Sequence, residues 1–98
     1  MFIYNVTVNI DDDVHEEWLE WMKTHHIPEV MKCGLFLSNR ILKVLSDDDG
    51  HTYSIQYTYD SADKLKEYLE KYAPQLQQDH LKKYRDKFVA FRTLLKEV

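Results

Sequence analysis

The order in which apolar residues change their spacing along the chain constrains the fold more than any other feature. Residues 2–10, FIYNVTVNI, alternate between apolar and polar side chains, which is the period of a half-buried strand. Apolar residues in 13–25 and 61–76 recur instead at helical spacing. Three further segments have the composition of strands: LFLSNRILKVL, HTYSIQYTY and KFVAFRTLL. The predicted order is therefore β-α-β-β-α-β.

Short signals define the connections between these elements. The Asp-Gly pair at 49–50 predicts a hairpin between the second and third strands, so the other two connections are helical crossovers. Pro28 should end the first helix at His26 and start a short second helical turn, and Pro74 should kink or restart the second helix. We therefore predict a single α+β domain over residues 1–98 with ferredoxin-like topology, a four-stranded antiparallel sheet with both helices on one face.

Length and composition exclude several classes of protein. A chain of 98 residues forms only a modest core, which favours dimerisation. A lone cysteine, Cys33, excludes an internal disulfide framework and suits a reducing compartment. The N-terminal segment lacks the basic and long apolar regions of a signal peptide, and no segment reaches transmembrane length. We therefore expect a cytoplasmic protein with no membrane partner.

The charge distribution argues against nucleic acid as a partner. Residues 1–63 carry 12 Asp or Glu and four Lys or Arg, whereas residues 64–98 carry five and nine. This split gives a dipole but not the large basic surface that phosphate binding requires. RNA-recognition domains with this order of elements use a basic third strand, and acylphosphatases use a glycine-rich loop after the first strand. HTYSIQYTY and DDD provide neither, so we expect no nucleic acid partner.

Polar side chains on the predicted sheet form one candidate ligand site. Asn5 should lie on the face of the first strand away from the helices, and Gln56 on the matching face of the third. Arg40 and Arg92 lie in the second and fourth strands, where both faces are partly apolar and the facing stays open. If all four line up, they could orient a polar ligand, with the arginines binding a carboxylate. Alternatively, the arginines form ion pairs at the surface or in a dimer interface.

His26 is the candidate catalytic residue. It follows His25 at the predicted end of the first helix, where its ring could reach a pocket and act as acid or base near neutral pH. The alternative is a histidine that only binds free carbonyl groups at a helix end. The five histidines lack zinc-site spacing, so we expect no metal, and we predict no cofactor. The aromatic residues could line a pocket but are more typical of a core.

A family resemblance is carried by YNVTVN, EEWLEWMKTHHIPEVMKCGLF, TYSIQYTY, YLEKYAPQLQQDH and KFVAFRTLL. These segments resemble a family of short bacterial proteins, frequent in Bacteroidetes, described only as a domain of unknown function. The resemblance spans nearly the whole chain and implies a small stand-alone protein without an established activity. More loosely, the layout resembles the dimeric α+β barrel superfamily, which includes cofactor-free monooxygenases, and this implies a homodimer. Several of those proteins have a step after the first helix that residues 26–28, His-Ile-Pro, resemble.

Two functions are compatible with these residues, and the sequence leaves open whether the protein is an enzyme. The first is a non-catalytic homodimeric module with an interaction or regulatory role, whose polar sheet face forms the centre of the dimer. The alternative is a small-molecule-binding protein or cofactor-free enzyme in which His26 acts as acid or base. Four residues would orient its ligand: Asn5, Arg40, Gln56 and Arg92. A ligand-sized cavity shared by His26 and an arginine would count against the first function.

Overall fold

The structure is a computed structural model that describes residues 1–45 and 50–98. In chain order its elements are β1 (Phe2–Ile10), α1 (His15–Trp21), α2 (Ile27–Met31), β2 (Ser38–Lys43), β3 (His51–Tyr59), α3 (Ala62–Lys71), α4 (Ala73–Lys83) and β4 (Phe88–Lys96). A 3-10 turn over Asp12–Val14 leads into α1, and a π-helical segment over Met22–His26 joins α1 to α2. The predicted Asp-Gly hairpin turn involves residues 46–49, which lie outside the described residues.

The four strands form one antiparallel sheet in the order β2-β3-β1-β4, so the predicted ferredoxin-like fold is confirmed. Strand β1 pairs with β3, where Asn5 lies opposite Gln56, and with β4, where Val6 lies opposite Arg92. Strand β2 pairs with β3, where Arg40 lies opposite Gln56. Residues directly opposite each other share a face of the sheet. Asn5, Gln56 and Arg40 therefore lie on the open face, whereas Arg92 lies on the helix-covered face.

The core between the sheet and the helices is rich in aromatic rings. Alternate residues of β1 and β3 are buried in it, as their sequence pattern predicts. Trp18 of α1 and Tyr84 after α4 are among the largest fully buried side chains. Phe36, just before β2, packs with its ring centroid 4.8 Å from that of Tyr68. Most of the aromatic set expected in the core is there, but Trp21 is only half-buried and Tyr72 is exposed.

The prediction at His26 is confirmed in part: the π-helical segment ends at His26 and a short helix with Pro28 in its first turn follows, but the chain does not leave helical geometry between them. The backbone at His26 and Ile27 keeps right-handed helical angles, and helical turns continue to Met31. The Ile27 N–H donates to the Met22 carbonyl five residues back, which is the bond of a π turn. Pro28 cannot donate a backbone hydrogen bond, but it lies in the first turn of α2, where proline is tolerated. The wide turn therefore accommodates the proline without a break.

The second predicted helix is divided in two, as Pro74 indicated. Ser61 begins α3, and its side chain accepts a hydrogen bond from the Asp63 N–H at 3.3 Å, as expected of a helix cap. Tyr72 separates α3 from α4, and its φ of −116° departs from helical geometry. Pro74 then lies in the first turn of α4. Tyr68 of α3 then packs against Tyr4 of β1, whereas His80 of α4 packs against Phe88 of β4.

Gly34 and Gly50 offer a matched pair for a stability measurement. Both have positive φ, 75° and 80°. A Cβ at Gly34 would have no atom within 4 Å, whereas a Cβ at Gly50 would lie 3.0 Å from the Ile10 carbonyl oxygen. We expect Gly34→Ala to cost about 1–2 kcal/mol of left-handed strain and Gly50→Ala to cost more, because a backbone atom must also shift. Urea unfolding of the two variants tests this, and equal losses would contradict it.

Candidate functional site

A cavity of about 60 Å³ lies between the sheet and the helices. Strands β1, β3 and β4 form one wall, and the π segment with α2, α3 and α4 forms the other. Its polar lining residues are Tyr4, His26, Tyr57, Tyr68, Gln77, His80 and Arg92. Gln77 and Arg92 are also exposed, so the cavity reaches the surface between α4 and β4. This volume is several times the roughly 10–15 Å³ that a cavity needs to hold one water molecule.

The π segment places His26 rather than His25 in this cavity. On a regular α-helix the apolar stripe through Met22 would continue at His25, as the sequence indicated. A π turn holds about one more residue than an α turn, so the inward position moves on to His26. His25 is exposed, and the His26 ring is half-buried, with its centroid 5.0 Å from that of Trp21 and 5.6 Å from that of His80. The local helix geometry therefore selects one histidine of the pair.

Burial keeps two cavity histidines neutral at pH 7. Burial, with a smaller contribution from His25, lowers the pKa of His26 to about 4, although Asp79 opposes the shift. Burial also lowers the pKa of His80 to about 4, with smaller contributions from His26 and Arg92. Within the described part of the chain, the His26 ring has no hydrogen-bond partner. It therefore presents both a donor and an acceptor nitrogen without a protein partner.

His80 is held in one tautomer by Trp18. The Trp18 indole N–H donates to Nε2 of His80 at 2.9 Å in a buried contact. A neutral imidazole that accepts at Nε2 carries its proton at Nδ1. Phe88 packs edge-on against the same ring, with centroids 4.2 Å apart. The ring is thus fixed in orientation and carries an N–H donor at Nδ1.

Three tyrosine hydroxyls belong to the cavity lining. Burial raises the pKa of both Tyr57 and Tyr68, and neighbouring tyrosines add to the effect. Neither hydroxyl has a protein partner among residues 1–45 and 50–98, yet no fully buried side-chain polar atom in that set lacks one. These hydroxyls therefore keep accessible surface, which in residues only 2% and 4% exposed is surface of the cavity. The Tyr4 hydroxyl oxygen accepts from Nε of Arg92 at 3.1 Å, which leaves its own proton for another acceptor.

The residues expected to form one ligand site lie on two sides of the sheet. His26 and Arg92 line the cavity on the helix side, whereas Asn5, Arg40 and Gln56 lie on the open face. Side chains alternate between faces along a strand, and the register of β4 on β1 places Arg92 on the side opposite Asn5. The expectation that all five residues surround one ligand is therefore wrong. The structure pairs His26 with one arginine only.

The polar residues of the open face bind one another. Arg40 donates from Nε to Oε1 of Gln56 at 2.9 Å, and Gln56 donates to Ser54 at 3.3 Å. Ser54 donates to Oδ1 of Asn5 at 2.5 Å, and Asn5 donates to Thr7 at 3.0 Å. This chain of hydrogen bonds crosses three strands and satisfies most of its members. It has the character of an ordered polar surface rather than of a ligand pocket.

The remaining histidines lie outside the cavity. His15 and His51 stack with ring centroids 3.6 Å apart. His15 forms a hydrogen bond with the Tyr53 hydroxyl at 2.6 Å, and His51 with Asp12 at 2.7 Å. In the part of the chain that the structure describes, no three His, Cys, Asp or Glu side chains are grouped to hold a metal ion. Across the same residues, no helix has both the length and the apolar character needed to cross a membrane.

Sequence reasoning did not single out His80, Tyr4 or Gln77 as site residues. A signal for His80 exists, because Ala73, Leu76 and His80 recur at helical spacing and His80 therefore continues an apolar stripe. Its contact with Trp18 joins residues 62 positions apart and leaves no trace in local spacing. The cavity could therefore be recognised only once the helices were placed on the sheet.

Comparison with known proteins assigns the chain to a family. Residues 1–98 match the sequence profile of the family described as Domain of unknown function (DUF4286). The chain belongs to this family. The predicted resemblance to a domain of unknown function is thereby confirmed. No curated protein sequence matches the chain.

Solved structures share the fold at low sequence identity. An ethyl tert-butyl ether d (ethd) family protein from Bacillus halodurans has a TM-score of 0.75 at 11% identity, with 100% of both chains covered. A dimeric ferredoxin-like protein from an uncultured marine organism has 0.70 at 18%, covering 99% of this chain and 97% of that one. A cofactor-independent oxygenase from Streptomyces nogalater has 0.70 at 14%, covering 98% and 92%. At these identities the likeness shows the fold alone.

Proposed function

We propose that this protein binds a small molecule in the cavity between its sheet and helices, and that it does so as a homodimer. The observation that carries the proposal is the convergence of buried and half-buried polar groups that have no protein partner. They are the neutral His26 ring and the hydroxyls of Tyr57 and Tyr68. A buried polar group left unsatisfied costs about 1–3 kcal/mol. Groups of this kind lining a cavity are suited to water or to a polar ligand, whereas a purely structural core would hold apolar groups there.

The size of the cavity limits what it receives. A volume of about 60 Å³ admits the polar head of a small molecule, that is, a few non-hydrogen atoms. The rest of a larger ligand would extend into solvent between Gln77 and Arg92, which are exposed at the opening. One neighbour with this fold is a cofactor-independent oxygenase, which supports a small-molecule site without a prosthetic group.

We assign His26 a hydrogen-bonding role in this site. Its pKa of about 4 makes it a weak base at pH 7, where general-base catalysis favours a pKa near the working pH. Its ring nevertheless offers one donor and one acceptor nitrogen. An acid–base role would require a ligand that raises this pKa.

The homodimer is proposed to form through the open sheet face. Strand β4 exposes Val89, Phe91 and Leu95 on that face, with exposed fractions of 71%, 60% and 40%. Contiguous exposed apolar side chains mark interaction surfaces. Beside them lies the hydrogen-bonded chain from Arg40 to Thr7, which would form a polar centre. A neighbour with this fold is described as dimeric, which supports a dimer of this chain.

Phe91 and Leu94 provide a matched test of the dimer. They lie on the same strand with exposed fractions of 60% and 59%, but on opposite faces of the sheet. We expect Phe91→Lys to raise the dimer dissociation constant by roughly 100-fold or more, because each protomer loses about 2 kcal/mol of apolar burial and gains a charge. Leu94→Lys should leave it nearly unchanged. Sedimentation velocity over a dilution series measures both, and equal effects would contradict the proposed face.

Ala90 allows the cavity to be filled without changing its polar groups. Ala90 lines the cavity, and valine at this position adds two methyl groups to a space of about 60 Å³. Ligand-observed NMR with polar fragments of three to six non-hydrogen atoms is the assay. We expect at least one fragment to bind the native protein, Ala90→Val to abolish that binding, and Thr93→Val on the open face to retain it. If no fragment binds while the dimer persists, the non-catalytic interaction module is the better description.

A further inference from the structure

The polar lining of the cavity carries no acidic group. Among the described residues that line it, none is Asp or Glu, and Arg92 is the one charged side chain at neutral pH. The carboxylate that acts on His26 is that of Asp79, which is exposed on α4 and accepts a hydrogen bond from Gln75 at 2.8 Å. The electrostatic potential inside the cavity is therefore set by a cation and by neutral dipoles, and it favours a negative ligand.

Arg92 has hydrogen-bond donors that its contact with Tyr4 does not use. Its Nε donates to the Tyr4 hydroxyl, and this bond holds the guanidinium beside the cavity opening. In residues 1–45 and 50–98 no carboxylate forms an ion pair with it. Its terminal nitrogens thus remain available, in the planar geometry that matches a carboxylate. An unpaired arginine at the mouth of a polar cavity is positioned to attract an anion.

The tyrosines supply neutral donors deeper in the cavity. Burial keeps the hydroxyls of Tyr57 and Tyr68 protonated, and the Tyr4 hydroxyl has already filled an acceptor site with Arg92. All three hydroxyl groups can therefore donate a hydrogen bond to a ligand. The tautomer fixed by Trp18 makes His80 a donor at Nδ1 as well. A ligand rich in acceptor atoms satisfies these groups, whereas a ligand rich in donors does not.

We propose that the ligand of this cavity carries a carboxylate, bound by the Arg92 guanidinium and by hydroxyl groups of Tyr4, Tyr57 and Tyr68. The inference rests on the proposed function and adds the chemical class of the ligand. A planar carboxylate also suits the small volume better than a tetrahedral phosphate, which has two more oxygen atoms. Charge-assisted hydrogen bonds of this type are roughly twice as strong as neutral ones, so the charge should dominate selectivity.

Acetate and acetamide test the inference, because they have nearly the same shape and differ in charge. Titrations of the isotope-labelled native protein are followed by amide and arginine Nε–H resonances at pH 7, with chloride balancing the ionic strength. We expect acetate to bind at least tenfold more tightly than acetamide, with the largest shifts at Arg92 and β4. Arg92→Gln should weaken acetate binding at least tenfold and leave acetamide binding unchanged.

Two controls locate the site and check the fold. Arg85→Gln removes an exposed arginine that does not line the cavity and should leave acetate binding unchanged. Tyr57→Phe removes one cavity hydroxyl with little change of shape and should weaken acetate binding severalfold. Urea unfolding of each variant shows whether a lost affinity reflects the site or the fold, and the exposed Arg92 position is the variant least prone to unfold.

The outcomes separate this inference from the proposed function. If acetamide or another neutral fragment binds as tightly as acetate, the charge inference is overturned and the proposed function stands. If acetate binding responds to Arg85→Gln and not to Arg92→Gln, the site lies outside the cavity and the inference is overturned as well. If neither probe binds and no fragment does, the proposed function fails with it. If acetate binds at least tenfold more tightly than acetamide and this preference is lost in Arg92→Gln, both the proposed function and the inference are supported.

Discussion

Between pH 6.5 and pH 4 the free energy of unfolding is expected to fall by about 3 kcal/mol for each of His26 and His80. Their pKa is about 4 in the folded protein and about 6.5 when exposed, and each pH unit across this window is worth about 1.4 kcal/mol per proton. Above pH 6.5 both states are neutral and stability is complete. As the pH falls, the unfolded chain takes up protons first, so stability is lost until the folded rings also titrate near pH 4.

Urea unfolding at intervals from pH 7 to pH 4.5 measures this effect. The slope of the unfolding free energy against pH gives the number of protons taken up, which should approach two near pH 5. His26→Asn should reduce that slope by about one proton, whereas His25→Asn, at the exposed neighbour, should reduce it less, because it removes only a charge that acts on His26. A slope that the two variants alter equally would contradict the buried, neutral state of His26.

Other charged groups act on the two rings and on the acid range. His25 adds to the lowering of the His26 pKa and Arg92 to that of His80, whereas Asp79 opposes the shift at His26. The pKa of His15 is also lowered by burial and by the stacked His51, which adds a smaller loss below pH 6.5. The variant-minus-native difference removes the contribution of His15, because it is common to both proteins.

The fold could be predicted from the sequence because the spacing of apolar residues within each segment indicates whether it is a strand or a helix. FIYNVTVNI alternates and Pro74 divides the second helix, and the structure confirms both features. The π turn was not predictable in the same way. Pro28 indicates only that a regular α-helix is disfavoured there, and a break and a widened turn both satisfy that requirement.

The site was harder to predict than the fold, since its parts come from distant segments. His26 was identified because proline and paired histidines mark its position. The side of the sheet on which Arg92 lies depends on the register of the edge strand β4. Both faces of this strand are partly apolar, so its sequence pattern does not specify the register. His80 enters the cavity through a bond to Trp18 that no periodicity encodes. Local patterns therefore identify elements, while long-range pairings decide which side chains share a cavity.

Substitution of Trp18 is expected to lower the free energy of unfolding strongly, because this residue belongs to the core and also binds the cavity residue His80. The Trp18 side chain is fully buried, so Trp18→Ala should destabilise the protein by about 3–5 kcal/mol. Trp18→Phe keeps most of the ring but removes the N–H that Nε2 of His80 accepts. A buried acceptor left without a donor costs about 1–3 kcal/mol, so the phenylalanine variant should lose roughly that amount. Urea unfolding at pH 7 measures both variants.

Trp21→Phe is the matched control, because Trp21 is half-buried and its indole N–H has no partner among the described residues. It packs on His26 by ring contact alone, so its loss should cost less than about 1 kcal/mol. The ¹⁵N chemical shifts of the His80 ring are a second measurement. They report which ring nitrogen carries the proton, and a change in packing alone would not alter that. They should indicate one tautomer in the native protein and in Trp21→Phe, and a mixture in Trp18→Phe, since the donor that holds Nε2 unprotonated is gone. Equal costs and unchanged ¹⁵N shifts would mean that Trp18 fills space without holding the cavity histidine, and His80 would then lose its assigned role as a fixed donor.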